Sequence, residues 1–194
     1  DNTQMDLPTK LSNKQADRVV NRRAVDLMMR GLPREQIEQN IEKLRHGARD
    51  EAIRELKLFF ILQKIATDQN VDVDEGELNG RVAMIAAQRG LRPEKLKQTM
   101  ANDGTLANLY VTMREQKAVD AVLDMQNFGG NFGMWGPGSD AEPWISAFAL
   151  DFLMQAKNKG YVVPNDALKR GATWLRQTAT SDSFDDATRA YAFY

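Results

Sequence analysis

The feature that most constrains the fold is an apolar stripe at helical spacing in the first half of the chain. Apolar residues recur at three- and four-residue steps as Ile37, Ile41, Leu44, Ala48, Ala52, Leu56, Phe59 and Phe60. This spacing puts the side chains on one face of an α-helix, whereas a strand would need strict alternation. Because only Gly47 interrupts the pattern before Ile65, it predicts one helix of about 50 Å that begins near Pro33.

The segments on either side of this stripe also carry helical signals, and strand signals are scarce. Ser12 or Asn13 is expected to cap a helix that ends at Arg30, before Gly31. Three further helices are predicted, from Asp74 to Gly90, from Pro93 to about Asn102, and from Leu106 to Leu123. The predicted fold is therefore all-α, an extended helical arm or bundle with one long helix.

The composition changes sharply near Leu123. Residues 1–123 contain 39 charged residues and three aromatic ones, whereas residues 124–194 contain 14 charged and twelve aromatic residues. A shift of this size predicts two domains of different ancestry, residues 1–123 and 124–194.

A glycine-rich stretch, NFGGNFGMWGPGSDAEPW at residues 127–144, follows this change. It has neither the preceding strand nor the lysine of a phosphate loop, so a structured turn is predicted, with Phe128, Phe132 and Trp135 folded back onto neighbouring helices. Three helices are then expected. The first runs to Lys157, and Ser139–Glu142 fits a capping box at its start, although Pro143 restricts Glu142 and leaves the exact cap open. The other two start at Pro164 and at Asp185–Asp186.

The chain has few residues that could support catalysis or bind a metal. No cysteine is present, which excludes disulfides, thiolate metal sites and thiol nucleophiles. His46 is predicted to be solvated, and the acidic residues Asp72, Asp74, Glu75 and Glu77 fit the start of a helix better than a calcium loop. The net charge of −1 gives no general reason to bind nucleic acid, and no apolar run reaches the about 20 residues of a membrane helix. We therefore expect neither a nucleic-acid nor a membrane partner. From the residue types above, we also expect no catalytic residues, cofactor or metal.

Binding through apolar surfaces remains as the predicted chemistry. Methionine is flexible and adapts to many partners, and a thin helical arm cannot bury every apolar face. The alternative is that each methionine fills a gap in the core. The candidate residues for binding an unfolded polypeptide are Met28, Met29, Phe59, Phe60, Met84, Ile85 and Met100.

Residues 5–123 resemble the C-terminal chaperone domain of bacterial trigger factor. The segments that carry the likeness are LPTKLSNKQADRVVNRRAVDLMMRGL (7–32), ELKLFFILQKIATDQNVDVDEGEL (55–78) and MREQKAVDAVL (113–123). The resemblance implies a cytoplasmic, ATP-independent chaperone body that binds unfolded or nascent chains. The family's ribosome-docking and prolyl isomerase domains have no counterpart here, so neither activity is expected.

Residues 124–194 resemble part of the thioester-containing domain of bacterial alpha-2-macroglobulin, on the strength of residues 129–170 and 186–194. The resemblance implies a partial α/α toroid, and the Cys-x-Glu-Gln thioester motif is absent. An alternative function is therefore a non-catalytic structural fragment of a periplasmic protease inhibitor. For a chain that joins the two likenesses, a natural fusion or fragment, an engineered joining and a mis-assembled reading frame all stay open, and its aromatic C-terminal segment is expected to self-associate.

Overall fold

The computed structural model describes residues 7–179 and 186–193. Within these residues the chain forms nine α-helices: α1 (Thr9–Met29), α2 (Arg34–Gln39), α3 (Ile41–Asp68), α4 (Glu75–Arg89), α5 (Pro93–Asn102), α6 (Thr105–Asp124), α7 (Pro143–Asn158), α8 (Asn165–Thr178) and α9 (Asp186–Phe193). The described residues form no strand, only two isolated bridges between Gln126 and Phe132 and between Gly133 and Ala141. The predicted all-α fold is confirmed.

The chain divides into two compact units, Asp1–Ile61 and Leu62–Tyr194. The boundary between the units falls inside α3. The change of composition at residue 123 lies within the second unit, so the division into two domains of different ancestry stays a prediction.

In the first unit, α1 and α3 share a small apolar core. Its buried members are Val19 and Val20 of α1 and Ala48 and Ala52 of α3. Beside this core, Arg22 forms ion pairs with Glu51 and Glu55 at 2.8 and 2.9 Å. Because the arginine is half exposed, each pair contributes about 1 kcal/mol or less, and the apolar core does most to hold the two helices together.

Two predicted details of the first unit are wrong. Helix α1 begins at Thr9, and Ser12 lies inside it, where its hydroxyl donates to the carbonyl of Pro8 at 3.3 Å. Pro8 takes the N-cap position, with no side-chain cap, and its carbonyl accepts the first helical bonds from the N–H groups of Leu11 and Ser12 at 3.0 Å. The predicted single rod is also interrupted at Asn40, whose side chain donates to the carbonyl of Gln36 at 2.8 Å and competes with the helical bonds.

In the second unit, α4, α5 and α6 pack around Val82, Ala86 and Leu96. Asp74 starts α4 with a capping box: its carboxylate accepts from the backbone N–H of Glu77 at 2.8 Å, and the Glu77 carboxylate accepts from the N–H of Asp74 at 3.0 Å. The bounds predicted for these three helices are confirmed to within two residues.

Helix α7 packs against α8 and α9, with a core of Ala147, Leu150, Leu175 and Ala179. The capping box predicted at Ser139–Glu142 is wrong, because Glu142 makes no side-chain cap and the Ser139 hydroxyl donates to the carbonyl of Gly136 at 2.7 Å. Pro143, which lacks an N–H, takes the first helical position instead. Helix α8 follows Pro164 as predicted, and α9 begins at Asp186, while Asp185 lies outside the described residues.

Candidate functional site

Titratable side chains form no recognisable reactive site in the part of the chain that the structure describes. His46 is exposed on α3, as predicted. Residues 7–179 and 186–193 contain no group of three or more His, Cys, Asp or Glu residues placed to hold a metal ion. Among these described residues, no helix combines the length and the apolar composition that a membrane span requires.

The acidic residues around the start of α4 are all engaged within the protein. Asp72 accepts hydrogen bonds from the hydroxyl of Tyr110 and from the N–H of Val73, and these bonds lower the pKa of its carboxyl. Lys117 contacts both carboxylate oxygens of Glu77 at 2.9 Å and lowers the pKa of that group. This arrangement agrees with the prediction that these acidic residues stabilise the start of a helix and do not form a cation site.

An exposed apolar stripe lies at the C-terminal end of α1. It consists of Val25, Met28, Met29 and Leu32, and we call it the α1 stripe. Met28 is 46% exposed and Met29 is 82% exposed. Spacings of three and four residues place Val25, Met28 and Met29 on one face of the helix, and Leu32 follows the helix end. The α1 stripe therefore gathers four exposed apolar residues at one end of α1.

The end of α1 fixes the geometry of the stripe. The N–H of Gly31 donates to Met28 at 3.0 Å, and the N–H of Leu32 donates to Leu27 at 3.1 Å, which is the bond pattern of a Schellman motif. Gly31 takes the positive φ of 86° that this motif requires. Leu32 is thereby held beside the last turn of the helix.

The remaining predicted binding residues differ in exposure. Phe59, 40% exposed, contacts Phe60 edge to face with ring centroids 5.4 Å apart in the first unit. In the second unit Met84 is exposed, whereas Ile85 and Met100 are partly buried against the core of α4 and α5. Ile85 and Met100 thus fit the alternative that some candidates fill the core.

The glycine-rich stretch is a structured loop, as predicted. The Ser146 hydroxyl bonds both the N–H and the carbonyl of Phe132, at 2.9 and 3.0 Å, and the Gln126 amide donates to the carbonyls of Gly130 and Ala167. Phe132 is buried, so its predicted packing is confirmed. The same prediction is wrong for two other aromatic residues, because Phe128 is 99% exposed and Trp135 is 86% exposed.

Helix α6 is tied to the turn that joins α7 and α8. The buried Glu115 accepts a hydrogen bond from the hydroxyl of Tyr161 at 2.7 Å. Burial and this bond raise the pKa of Tyr161. The side-chain amide of Gln116 accepts from the N–H of Val162 at 2.8 Å and donates to its carbonyl at 3.0 Å. Glu115 and Gln116 of α6 are therefore bonded to Tyr161 and Val162 of the turn, respectively.

A groove of about 580 Å³ lies in the second unit, where α4, α6 and this turn meet. We call it the α6 groove. Its apolar lining includes Leu109, Met113 and Val162, and its charged lining includes Arg81, Lys117, Lys159 and Glu77. The groove thus combines apolar surface with an excess of positive charge.

The family model of the bacterial trigger factor protein (TF) C-terminus matches residues 1–124. The chain belongs to this family. A trigger factor of Koribacter versatilis is 30% identical over 117 residues, which cover 60% of this chain and 27% of the relative. A trigger factor of Agathobacter rectalis is 27% identical over 128 residues, which cover 64% of this chain and 29% of the relative. The chain therefore spans less than a third of the length of these trigger factors.

A second kind of relative also matches. An alpha-2-macroglobulin of Escherichia coli K12 is 42% identical over 53 residues, which cover 27% of this chain and 3% of that protein. No solved structure matches the chain. Both resemblances expected from the sequence are thus confirmed.

All seven predicted binding residues and the α1 stripe lie in the trigger factor C-terminal segment, residues 1–124. Sequence reasoning missed Val25, although its helical spacing from Met28 and Met29 carries the signal, and it missed Leu32, which the turn at Gly31 places beside the helix end. It also missed the α6 groove, because Tyr161 and Val162 lie far from α6 along the chain and only the fold brings them together.

Proposed function

We propose that this chain binds unfolded or nascent polypeptide without ATP, as a chaperone does, through exposed apolar surfaces of its trigger factor C-terminal segment. The observation that carries this proposal is the α1 stripe, an exposed apolar face of the first unit in a chain of this family. We expect the function to be cytoplasmic, as the trigger factor resemblance implies.

The side chains of the stripe suit weak binding to many sequences. Two adjacent methionines can adapt to different apolar partners because their side chains are unbranched and polarisable. Fully burying a large apolar side chain contributes about 1.5–3 kcal/mol, and these side chains are already partly covered. Since association and ordering of the client oppose this gain, we expect weak, rapidly reversible binding.

Charge placed on the stripe should weaken the chaperone activity. We expect the double variant Met28→Glu/Met29→Glu to require at least about threefold more protein than the wild type to suppress aggregation of a refolding client, because a buried carboxylate opposes apolar contact. Light scattering of the client at increasing chaperone ratios gives the measurement.

The control is Met154→Glu, which introduces one such carboxylate at a methionine of α7 that is 48% exposed. This variant should suppress aggregation as the wild type does. Absence of suppression by the wild type at several-fold excess, or equal losses in the two variants, would contradict the proposal.

The second candidate is a non-catalytic structural fragment of an alpha-2-macroglobulin-type protease inhibitor. It is favoured by the 42% identity to the Escherichia coli protein and by the exposed Phe128 and Trp135 of the glycine-rich loop. Co-migration with a protease on native gels, lost when residues 124–194 are deleted, would support this candidate over the first. Self-association through the same aromatic residues stays a prediction.

A further inference from the structure

The α6 groove is preformed by bonds that do not involve a ligand. Gln116 holds Val162 through both backbone groups, and Glu115 holds the Tyr161 hydroxyl, so the turn between α7 and α8 is fixed as one wall. Helix α6 supplies Leu109 and Met113 from the other side. A groove with fixed walls needs little ordering when a ligand enters, which favours binding.

The charged groups of the groove are unequally compensated. Lys117 is neutralised by Glu77, at 2.9 Å, and also donates to the carbonyl of Asp72 at 2.6 Å. Arg81 lies four residues after Glu77 on α4 and is exposed, and its guanidinium reaches the sulfur of Met84 at 3.4 Å. Among the described residues no carboxylate forms an ion pair with Arg81. A cation therefore remains at the edge of the groove to meet an anionic group.

The apolar surface lies beside this cation. Val162 is 72% exposed at the rim even though its backbone is fully held by Gln116. The volume of about 580 Å³ is that of an ordinary ligand site and would admit a few residues of a peptide. A ligand complementary to this lining carries an apolar side chain next to a carboxylate.

We propose that the α6 groove binds client segments in which apolar residues stand beside Asp or Glu. This inference rests on the proposed function, since it names the class of polypeptide that the chain prefers. It also gives residues outside the trigger factor segment, Tyr161 and Val162, a part in client binding.

Fluorescence anisotropy with two labelled peptides tests the preference. The peptides share the same leucine and phenylalanine positions, and one carries glutamate where the other carries lysine. We expect the full chain to bind the acidic peptide about fivefold more tightly at low salt, as one partly exposed ion pair allows. Val162→Asp should weaken binding of the acidic peptide, because it places a carboxylate in the apolar rim.

Charge reversal at Arg81 tests whether the α6 groove causes the preference for the acidic peptide. Arg81→Glu should reduce the preference for the acidic peptide to less than about twofold. Arg92→Glu makes the same change of charge on an exposed residue that lies outside the groove, and it should leave the preference intact. Both variants should keep the wild-type circular dichroism spectrum, since both side chains are exposed.

Equal binding of the two peptides, or equal effects of the two charge reversals, would overturn this inference. If the wild type still suppressed client aggregation in that case, the proposed chaperone function would stand without the groove. If suppression also failed, the proposed function itself would fall.

Discussion

Replacing Gly130 with alanine is expected to destabilise the second unit by about 3 kcal/mol or more. Gly130 has a φ of 97°, which an alanine adopts only with strain. An added Cβ would lie 2.8 Å from the Cβ of Arg170 and closer still to its backbone carbonyl, which cannot move aside as a flexible side chain could. Overpacking of this kind costs about 1–3 kcal/mol beyond the backbone strain.

Gly138→Ala separates the effect of backbone strain from the effect of steric overlap with Arg170. Gly138 lies in the same loop with a φ of 94°, but an added Cβ would meet no atom within 4 Å. This variant should lose only about 1 kcal/mol, from backbone strain. Urea unfolding followed by tryptophan fluorescence measures both, since Trp135, Trp144 and Trp174 all lie in the second unit. Equal losses in the two variants would show that the loop does not approach α8 as described.

Leu153→Ala is expected to destabilise the second unit by about 2–5 kcal/mol. The Leu153 side chain on α7 has no exposed surface. Its truncation removes apolar contacts and leaves a cavity that a helix packed against α8 and α9 can fill only in part. The same tryptophan-detected unfolding gives the free energy of unfolding.

Met154→Ala is the matched control for this truncation. It removes a similar volume from the next residue of α7, whose side chain is 48% exposed. Its effect should stay within about 0.5 kcal/mol of the wild type. If both substitutions destabilised the protein equally, α7 would not be oriented as the structure has it.

Much of the fold follows from local signals in the sequence. Pro93 at the start of α5 and the Asp74–Glu77 capping box at the start of α4 predict helix starts, because each satisfies local backbone geometry. Asn40 shows where such signals fail, since an apolar stripe continues across the break that its side chain makes. The spacing of apolar residues indicates which face of a helix is buried, but it does not indicate whether the helix is continuous.

The candidate site was predictable only in part. Met28 and Met29 could be proposed from their chemistry, but the sequence alone does not distinguish them from Ile85 and Met100, which pack against the core. Periodicity marks apolar faces without showing which of them another helix covers. The α6 groove depends on contacts between residues more than 40 positions apart, such as Gln116 and Val162, which no local pattern records.

Site-specific photo-crosslinking tests the central claim, that the α1 stripe contacts unfolded polypeptide. A benzophenone side chain would replace Met29, and in a parallel protein Met154, before irradiation with a reduced, carboxymethylated client that cannot fold. We predict that position 29 cross-links this client several-fold more than position 154 does, and that neither position captures the native client. Equal yields at the two positions, or no adduct at position 29, would contradict the claim.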